Sequence, residues 1–368
     1  MRKQYLDNIR WITVLLVVIY HVFYMYNGVE VFGIIGPFED GVQYQDSFLY
    51  LVYPWFMLLL FVVSGMSARF YLNGHTEKEF KKSKTDKLLV PSTLGLFVFY
   101  WILGYYNTAI ASTFETMPPE VPGFIKYLII VVSGIGPLWY IQLLWVFSMV
   151  LLLVRKIEKD KLYDLCGKAN IIVLLLFTFA VWGAAQILNT PVVTVYRFGI
   201  YGLGFFIGYF VLSHDEVMER LEKYYVILCV AAGALFVAFM KLYWQQPYAE
   251  SVVLETPLCN FYAWIAVLAI LSFMHKHGDF NNGFTTFMNG KSWGLYLFHY
   301  IPLAMIAYYL HRYNLDSNAV ITYLIVGVGT FAGSLILNEV ISRIPVIRFL
   351  AMGIRSKKSG DNLCLVKI

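Results

Sequence analysis

Residues 9–27, "IRWITVLLVVIYHVFYMYN", form an apolar run in which only Arg10 and His21 can carry a charge near neutral pH. The run has the length that an α-helix needs to cross a bilayer core about 30 Å thick. It lacks the small-residue cleavage site of a signal peptide and is followed by further apolar runs. It therefore predicts a retained first membrane helix, and it raises the question of why an imidazole lies inside that helix.

The composition of the whole chain resembles that of its first run. Of 368 residues, 59% are hydrophobic and 14% are charged, and the mean hydropathy is +0.64. A soluble globule of this size carries more charge on its surface. The four cysteines have neither CxxC nor His/Cys spacing, so no disulfide framework or metal site is predicted. We expect an all-α, polytopic integral membrane protein.

About ten apolar segments are long enough to be membrane helices. The predicted spans are 9–27, 47–73, 88–111, 137–154, 170–188, 196–213, 224–244, 257–275, 292–311 and 319–342. Residues 124–136 are predicted to be interfacial or re-entrant, because "SGIGP" interrupts a continuous helix. We expect one membrane domain at residues 1–342 and a short basic cytoplasmic tail at 343–368.

The distribution of basic residues predicts the orientation in the membrane. With the N-terminus inside, only Lys126, Arg197, Lys241 and Arg312 of the 28 Lys and Arg residues fall outside. Both termini are then cytoplasmic. The net charge of +5 is explained by basic loops beside anionic lipid, so no nucleic-acid partner is required.

Arg10 and His21 are eleven residues apart, which places them on nearly the same helix face and roughly 16 Å apart along the axis. Each has an ordinary structural explanation, a positive-inside anchor for Arg10 and a buried hydrogen-bonded ring for His21. Intramembrane ionisable groups are costly, however, and tend to face a polar cavity. The pair indicates a functional face without proving one.

The second span ends in "FVVSGMSARF", whose small residues Ser64, Gly65 and Ser67 favour close helix packing. Arg69 follows them at the cytoplasmic end, as either an anchor or a second functional cation. The next loop contains "KSKTDKLLVP", in which Lys84 and Lys87 lie just before the membrane. A solvated charge run is the ordinary explanation of these lysines.

The ninth span contains "SWGLYLFHYIP", in which Tyr296 and His299 share one side of a helix. His299 lies within a turn or two of the depth of the first-helix histidine. Glu339 is the only carboxylate placed inside a span, and an unpaired carboxylate there is costly. We therefore expect a structural ion pair between Glu339 and a cation such as Arg10 or Arg69.

The glycines of "GIYGLGFFIG", residues 199–208, superficially resemble a nucleotide-binding loop. They lie inside a hydrophobic segment with no preceding strand, which predicts helix packing instead. Walker, GxSxG and HExxH motifs are absent from the sequence. The common motif-bearing ATPases and hydrolases are thereby excluded.

Several segments occur in a familiar order: "LDNIRWITVLLVVIYH", "FVVSGMSARF", "KTDKLLVP", "PLWYIQLL" and "SWGLYLFHYIP". In this the chain resembles the type-3 membrane acyltransferase family over residues 5–310. That resemblance implies ten spans and transfer of acyl groups, often acetyl or succinyl, to extracytoplasmic glycans and related acceptors. Some features are similar to the branch of glucan-modifying succinyltransferases.

The resemblance also implies roles for individual residues. The histidine and arginine of the family's first helix correspond to His21 and Arg10, the proposed catalytic residues. The late tyrosine and histidine correspond to Tyr296 and His299, and the LW motif to Trp139; these three are expected to line the substrate path. An imidazole suits proton abstraction, so His21 is expected to be a general base or, as the alternative, an acylated intermediate.

The donor implied by the resemblance is acyl-CoA, a co-substrate; no permanently bound cofactor is expected. Arg69, Lys84 and Lys87 are the candidate ligands of its phosphates. Relatives carry R-x-x-R where this chain has the two lysines, and an arginine fork fits phosphate better than a lysine point charge.

The sequence thus predicts a multi-pass O-acyltransferase of the bacterial inner membrane, with a glycan or other hydroxylated acceptor. The alternative is a transporter or lipid-handling protein that uses His21 and Arg10 for proton or substrate coupling, although no internal repeat supports it. A multispanning acyltransferase with a late histidine and asparagine fits less well. The acceptor, the acyl length and the oligomeric state are left open.

Overall fold

The computed structural model describes residues 3–28, 33–38, 43–115, 117–190 and 195–355. The structure is 78% helical and contains no β-strand within these ranges. The predicted all-α fold class is confirmed.

The helices of the described ranges follow one another with short connections. In chain order they are α1 Gln4–Tyr24, α2 Ser47–Leu72, α3 Glu77–Lys84, α4 Val90–Ser92, α5 Trp101–Ile110, α6 Gly123–Ser133, α7 Trp139–Glu158, α8 Lys161–Cys166, α9 Ile171–Ala184, α10 Phe198–Phe210, α11 Asp215–Glu222, α12 Tyr225–Tyr243, α13 Ser251–Leu254, α14 Pro257–His277, α15 Gly283–Phe298, α16 Tyr300–Arg312, α17 Ala319–Arg343 and α18 Pro345–Met352. Short 3₁₀ or π-helical segments lie at Tyr44–Asp46, Thr85–Leu89, Leu96–Tyr100 and Gly136–Leu138.

Three of the apolar helices begin at polar caps that are readable in the sequence. Asn170, Thr256 and Asn318 precede α9, α14 and α17, and the side chain of each accepts a hydrogen bond from the backbone N–H three residues later. Such a cap satisfies one of the four N–H groups that a helix start leaves without a partner. These polar residues therefore fix where the apolar helices begin.

Seven helical segments of the described residues are long and apolar enough to cross a membrane: Gln4–Tyr24, Tyr44–Leu72, Glu77–Ile110, Gly136–Glu158, Tyr225–Tyr243, Pro257–His277 and Ala319–Arg343. The helices α6, α9 and α10 are apolar but shorter. The chain is therefore a polytopic membrane protein, while the predicted count of ten spans is not confirmed. The predicted span 292–311 is divided at His299, where α15 ends and α16 begins.

The chain divides into two compact units, and α1 contributes to both. Unit 1 comprises Met1–Thr13, Leu49–Lys82 and Leu143–Asn289, and unit 2 comprises Val14–Phe48, Ser83–Gln142 and Gly290–Ile368. The domain boundary predicted at residue 342 stays a prediction. Part of the predicted tail forms α18, and its residues 356–368 lie outside the described ranges.

Unit 1 contains two helices that meet at their backbones. A Cβ added at Gly65 of α2 would lie 1.9 Å from the carbonyl oxygen of Phe205, and one at Gly208 of α10 would lie 2.1 Å from that of Val62. Only glycine permits such an approach. Close helix packing is thereby confirmed as the role of these two glycines.

Unit 2 is organised by α5, which packs against α6 and α16, and by α17, which packs against α16 and α18. The end of α18 also contacts the segment that contains the candidate lysines. Gly353 has a φ of +68°, and a Cβ there would lie 2.2 Å from the carbonyl oxygen of Asp86. The C-terminal part of the described chain therefore fixes the position of this segment.

Candidate functional site

His21 lies in the last turn of α1, within unit 2, and its side chain is partly exposed. Its Nδ1 is 2.8 Å from the carbonyl oxygen of Val17, one turn earlier in the same helix. The ring of Tyr300 meets the His21 ring edge-on, with 4.9 Å between centroids. The imidazole is thus held by its own helix and by α16.

His299 lies at the junction of α15 and α16 and is completely buried. Its Nδ1 is 2.7 Å from the carbonyl oxygen of Tyr296 and 3.2 Å from that of Leu295. Its Nε2 is 3.1 Å from Nδ1 of His21. The two histidines, predicted to lie at similar depth, are therefore in direct contact within unit 2.

These contacts assign the tautomers of both neutral rings, because a carbonyl oxygen can only accept a hydrogen bond. Nδ1 of His299 must carry a proton to donate to Tyr296, which leaves its Nε2 as an acceptor. Nδ1 of His21 then carries the proton shared between Val17 and His299. The lone pair of His21 lies on Nε2, which has no hydrogen-bond partner among the described residues.

Tyr296 connects the histidine pair to the segment that begins α7. Its hydroxyl donates a hydrogen bond to the carbonyl oxygen of Pro137, two residues before Trp139. The ring of Tyr140 packs edge-on against that of Tyr296, with 5.6 Å between centroids. Trp139 is partly exposed beside it. The three predicted substrate-lining residues, Trp139, Tyr296 and His299, all belong to unit 2, where Tyr296 reaches the segment before Trp139 through Pro137.

Arg10 lies on the same helix as His21 but belongs to unit 1, where its guanidinium contacts two side chains. One guanidinium nitrogen is 2.9 Å from Oδ1 of Asp7, and another donates to the hydroxyl of Ser67. The Ser67 hydroxyl in turn donates to the carbonyl oxygen of Val63, at 2.6 Å. Arg10 is therefore partly neutralised and held against α2.

Arg69, at the end of α2, lies in a separate cluster of unit 1. It is 2.5 Å from Oδ1 of Asp160, and its guanidinium carbon is 3.5 Å from the ring centroid of Tyr163. The hydroxyl of Tyr209 is 3.3 Å from Arg69 and 2.7 Å from Arg155. The Nε of Arg69 is buried and has no hydrogen-bond partner within the described ranges.

Lys84 ends α3 and Lys87 lies in the following π-helical segment, both in unit 2 and both partly buried. Between them, Asp86 accepts two hydrogen bonds from Arg355, at 2.6 and 2.7 Å. The pair also raises the pKa of Arg355, which keeps this guanidinium charged. A third cation from the end of the described chain therefore joins the two predicted lysines.

Glu339 forms an ion pair, but not with the expected arginines. Its carboxylate is 3.0 Å from Nζ of Lys291 and 2.7 Å from the guanidinium of Arg343. The partner expected from the sequence, Arg10 or Arg69, was wrong. A nearby cation one helical turn away and a lysine of α15 satisfy the carboxylate instead.

A family model described as an acyltransferase domain matches residues 3–339. The chain belongs to the acyltransferase 3 family. No curated protein and no solved structure matches the chain significantly. The match confirms the resemblance seen in the sequence and shows that the chain is a membrane acyltransferase.

Sequence reasoning missed several residues that form ion pairs or hydrogen bonds with the charged side chains of this acyltransferase. Asp7 lies three residues before Arg10, a helical spacing that could have identified the pair. Asp160, Tyr209 and Arg355 reach their partners over long stretches of sequence. No local pattern signals such contacts, because tertiary packing alone brings these residues together.

Proposed function

We propose that this protein is an O-acyltransferase of the bacterial inner membrane. It transfers an acyl group, acetyl or succinyl, from cytoplasmic acyl-CoA to a hydroxyl of a glycan or related acceptor at the extracytoplasmic side. The observation that carries the proposal is the histidine pair, which leaves Nε2 of His21 as an available proton acceptor. The family assignment supports acyl transfer as the reaction class.

In the proposed reaction, Nε2 of His21 removes the proton of the acceptor hydroxyl while the oxygen of that hydroxyl attacks the thioester carbonyl. The carbon–sulfur bond then breaks, and the CoA thiolate takes the proton from the imidazolium. The products are an ester and free CoA. When His21 is protonated, its Nδ1–H is a stronger donor to His299, so His299 stabilises the charged ring as well as orienting it.

Separate groups of basic residues are proposed to bind and position the acyl donor. Arg10 would place the donor or stabilise the charge that develops during transfer, because Asp7 and Ser67 fix its guanidinium. Arg69 in unit 1, and Lys84 and Lys87 in unit 2, are proposed to bind phosphates of acyl-CoA. Each assignment rests on that residue's own surroundings.

The deciding experiment replaces His21 in purified, detergent-solubilised protein and measures consumption of acyl-CoA and formation of ester. A positioned general base contributes about 10²–10⁴-fold, so His21→Ala should lose at least that much activity. His21→Gln should not recover it, because an amide does not take up the proton. His277→Ala is the matched control, since His277 is exposed.

A folded His21→Ala protein with near wild-type turnover would make His21 structural and end the proposal. Folding is checked by a single symmetric peak in size-exclusion chromatography and an unchanged thermal midpoint. These controls distinguish a loss of catalytic activity from a loss of folded protein.

The proposed sidedness has its own test. In a variant without the native cysteines, single thiols are introduced at Glu120 and Lys81, both of which are exposed. A membrane-impermeant maleimide added to intact cells should label the thiol at 120 and spare the one at 81. The reverse pattern would place the donor loops outside and contradict a cytoplasmic donor.

A further inference from the structure

A second group of polar side chains lies just beyond the end of α1, in the same unit as His21. Tyr26 follows His21 by five residues and lies two residues beyond the end of α1. It is 1% exposed, and its ring stacks on Phe38 with 4.6 Å between centroids. Its hydroxyl is buried without a hydrogen-bond partner in the described part of the chain. The fold thus buries a hydroxyl group that no described residue satisfies with a hydrogen bond.

Asp46 presents a second such atom. Its Oδ2 accepts hydrogen bonds from the backbone N–H of Gly28, at 3.3 Å, and from Nε2 of Gln43, at 3.4 Å. Its Oδ1 is buried and has no partner among the described residues. The carboxylate is therefore oriented by one oxygen and unsatisfied at the other.

Gln43 fixes the relative positions of these groups. Its Nε2 also donates to the carbonyl oxygen of Tyr26, at 3.1 Å, and its Oε1 accepts from the backbone N–H of Phe38, at 2.9 Å. One buried amide thereby connects the segments that carry Tyr26, Phe38 and Asp46. Such a frame holds side chains in place before any ligand arrives.

Tyr323 of α17 completes the group. Its ring meets that of Tyr26 edge-on, with 5.9 Å between centroids, and its hydroxyl is also buried. Gln45 lies beside this hydroxyl, and the Asp46 carboxylate is close enough to act on it electrostatically. Three buried oxygens, from Tyr26, Asp46 and Tyr323, therefore belong to one framework.

Buried polar atoms without partners are rare, and each calls for an explanation such as a missing ligand or water. Phenol hydroxyls both donate and accept, whereas a carboxylate only accepts. A phosphate or other anion would be repelled by Asp46, and a lipid tail would leave all three oxygens unsatisfied. Hydroxyl groups, which donate and accept, satisfy all three.

We propose that Tyr26, Asp46 and Tyr323 form a subsite that binds the hydroxyls of a neutral sugar unit of the acceptor. The inference rests on the proposed function, because it assigns the acceptor of the His21 reaction. The subsite holds a neighbouring part of the acceptor while one of its hydroxyls reaches Nε2 of His21.

The first test compares acceptors with the wild-type enzyme. Ester formation from acyl-CoA is measured with cellotetraose, maltotetraose and laminaritetraose, and with 1-hexanol as an acceptor that has one hydroxyl. At least one oligosaccharide should have a kcat/KM about tenfold or more above that of 1-hexanol. If none exceeds 1-hexanol, the inference is wrong.

The second test uses Tyr26→Phe and Asp46→Asn with the best oligosaccharide. A lost hydrogen bond to a charged group corresponds to about a tenfold or greater loss of affinity, and one to a neutral group to somewhat less. The acceptor KM should rise accordingly, while the KM for acyl-CoA and the reaction with 1-hexanol stay unchanged. Tyr127→Phe is the matched control, because its hydroxyl bonds to the carbonyl of Phe97 away from this group.

Loss of the Tyr26 hydroxyl breaks no hydrogen bond of the described structure, so Tyr26→Phe should keep the wild-type thermal midpoint. An unchanged acceptor KM in both variants would mean that the atoms bind water only, and the subsite would be rejected. The His21→Ala result is independent of this outcome. An inactive His21→Ala enzyme with unaltered subsite variants would reject the subsite alone, whereas an active one would reject the proposed function.

Discussion

The arginine clusters of unit 1 and the histidine pair of unit 2 use ionisable groups in opposite ways. Arg10 and Arg69 each contact a carboxylate, Asp7 and Asp160, within 3 Å. His21 instead makes its hydrogen bonds through Nδ1 and keeps Nε2 available. Charge is compensated in the first region, whereas a proton acceptor is available in the second. We therefore expect changes at the carboxylates and packing residues of unit 1 to alter mainly stability, and changes at the histidines to alter turnover.

The largest expected effect beyond that of His21 itself is at His299. His299→Leu removes the acceptor that orients His21 and stabilises its protonated form; loss of the partner that orients a metal-bound histidine costs about 10–100-fold, and we expect a similar loss here. The kcat should fall by this amount with little change in either KM. His299→Gln should recover part of the loss, because its amide oxygen can accept from Nδ1 of His21.

Steady-state kinetics on purified His299 variants check this expectation. If His299 were only structural, its replacement would lower the thermal midpoint without lowering kcat selectively over KM. Equal turnover in His299→Leu and wild type would remove the main difference between the two regions.

The second prediction concerns the glycine contact of unit 1. Gly208→Ala places a Cβ against the backbone of α2, and overpacking of this kind costs about 1–3 kcal/mol. Gly233→Ala is the matched control, because a Cβ at Gly233 meets no atom within 4 Å. Thermal unfolding in detergent should show a fall for Gly208→Ala only. A similar midpoint in both variants would contradict backbone contact as the role of Gly208.

The histidine pair shows what the sequence could predict and what it could not. Hydrophobic spacing placed His21 and His299 at similar depths, because rise per residue and membrane thickness are general quantities. It could not predict which ring nitrogens meet. That depends on the carbonyl oxygen of Val17, one turn earlier in α1, and on that of Tyr296, at the end of α15.

Ion-pair partners were less predictable than the positions of the charged groups. The position of Glu339 on a late membrane helix was correct, but its partners are Lys291 and Arg343. Arg343 is four residues away and was readable from helical spacing, whereas Lys291 required knowledge of the packing between α15 and α17. The same limit applies to Tyr26 and Asp46, whose shared frame depends on one buried amide.

The third prediction concerns the lysines of unit 2. If Lys84 and Lys87 bind donor phosphates, changing both to Ala should raise the KM for acyl-CoA at least several-fold, since even a fully exposed charge pair can contribute up to about 1 kcal/mol and both lysines are partly buried. The kcat should change less, because uniform binding is lost. The control is the double change of Lys81 and Lys82 to Ala, which are exposed on α3. An unchanged KM for acyl-CoA would mean that Lys84 and Lys87 belong to a solvated charge run and do not bind the donor.

The smallest effect is expected where a carboxylate pairs at the surface. Glu339 and its partners Lys291 and Arg343 are exposed over about a third or more of their side chains, so water and salt screen their attraction. Glu339→Gln should change neither the thermal midpoint nor kcat measurably. Asp7→Asn, by contrast, leaves the Arg10 side chain, which is only 19% exposed, without its carboxylate partner and should lower the midpoint clearly. Thermal unfolding of both variants at low and high salt makes the comparison, because screening weakens the exposed pair more than the buried one. A larger fall in the thermal midpoint for Glu339→Gln than for Asp7→Asn would mean that burial does not determine the strength of these ion pairs. Burial would then not explain why the arginines of unit 1 contribute to stability.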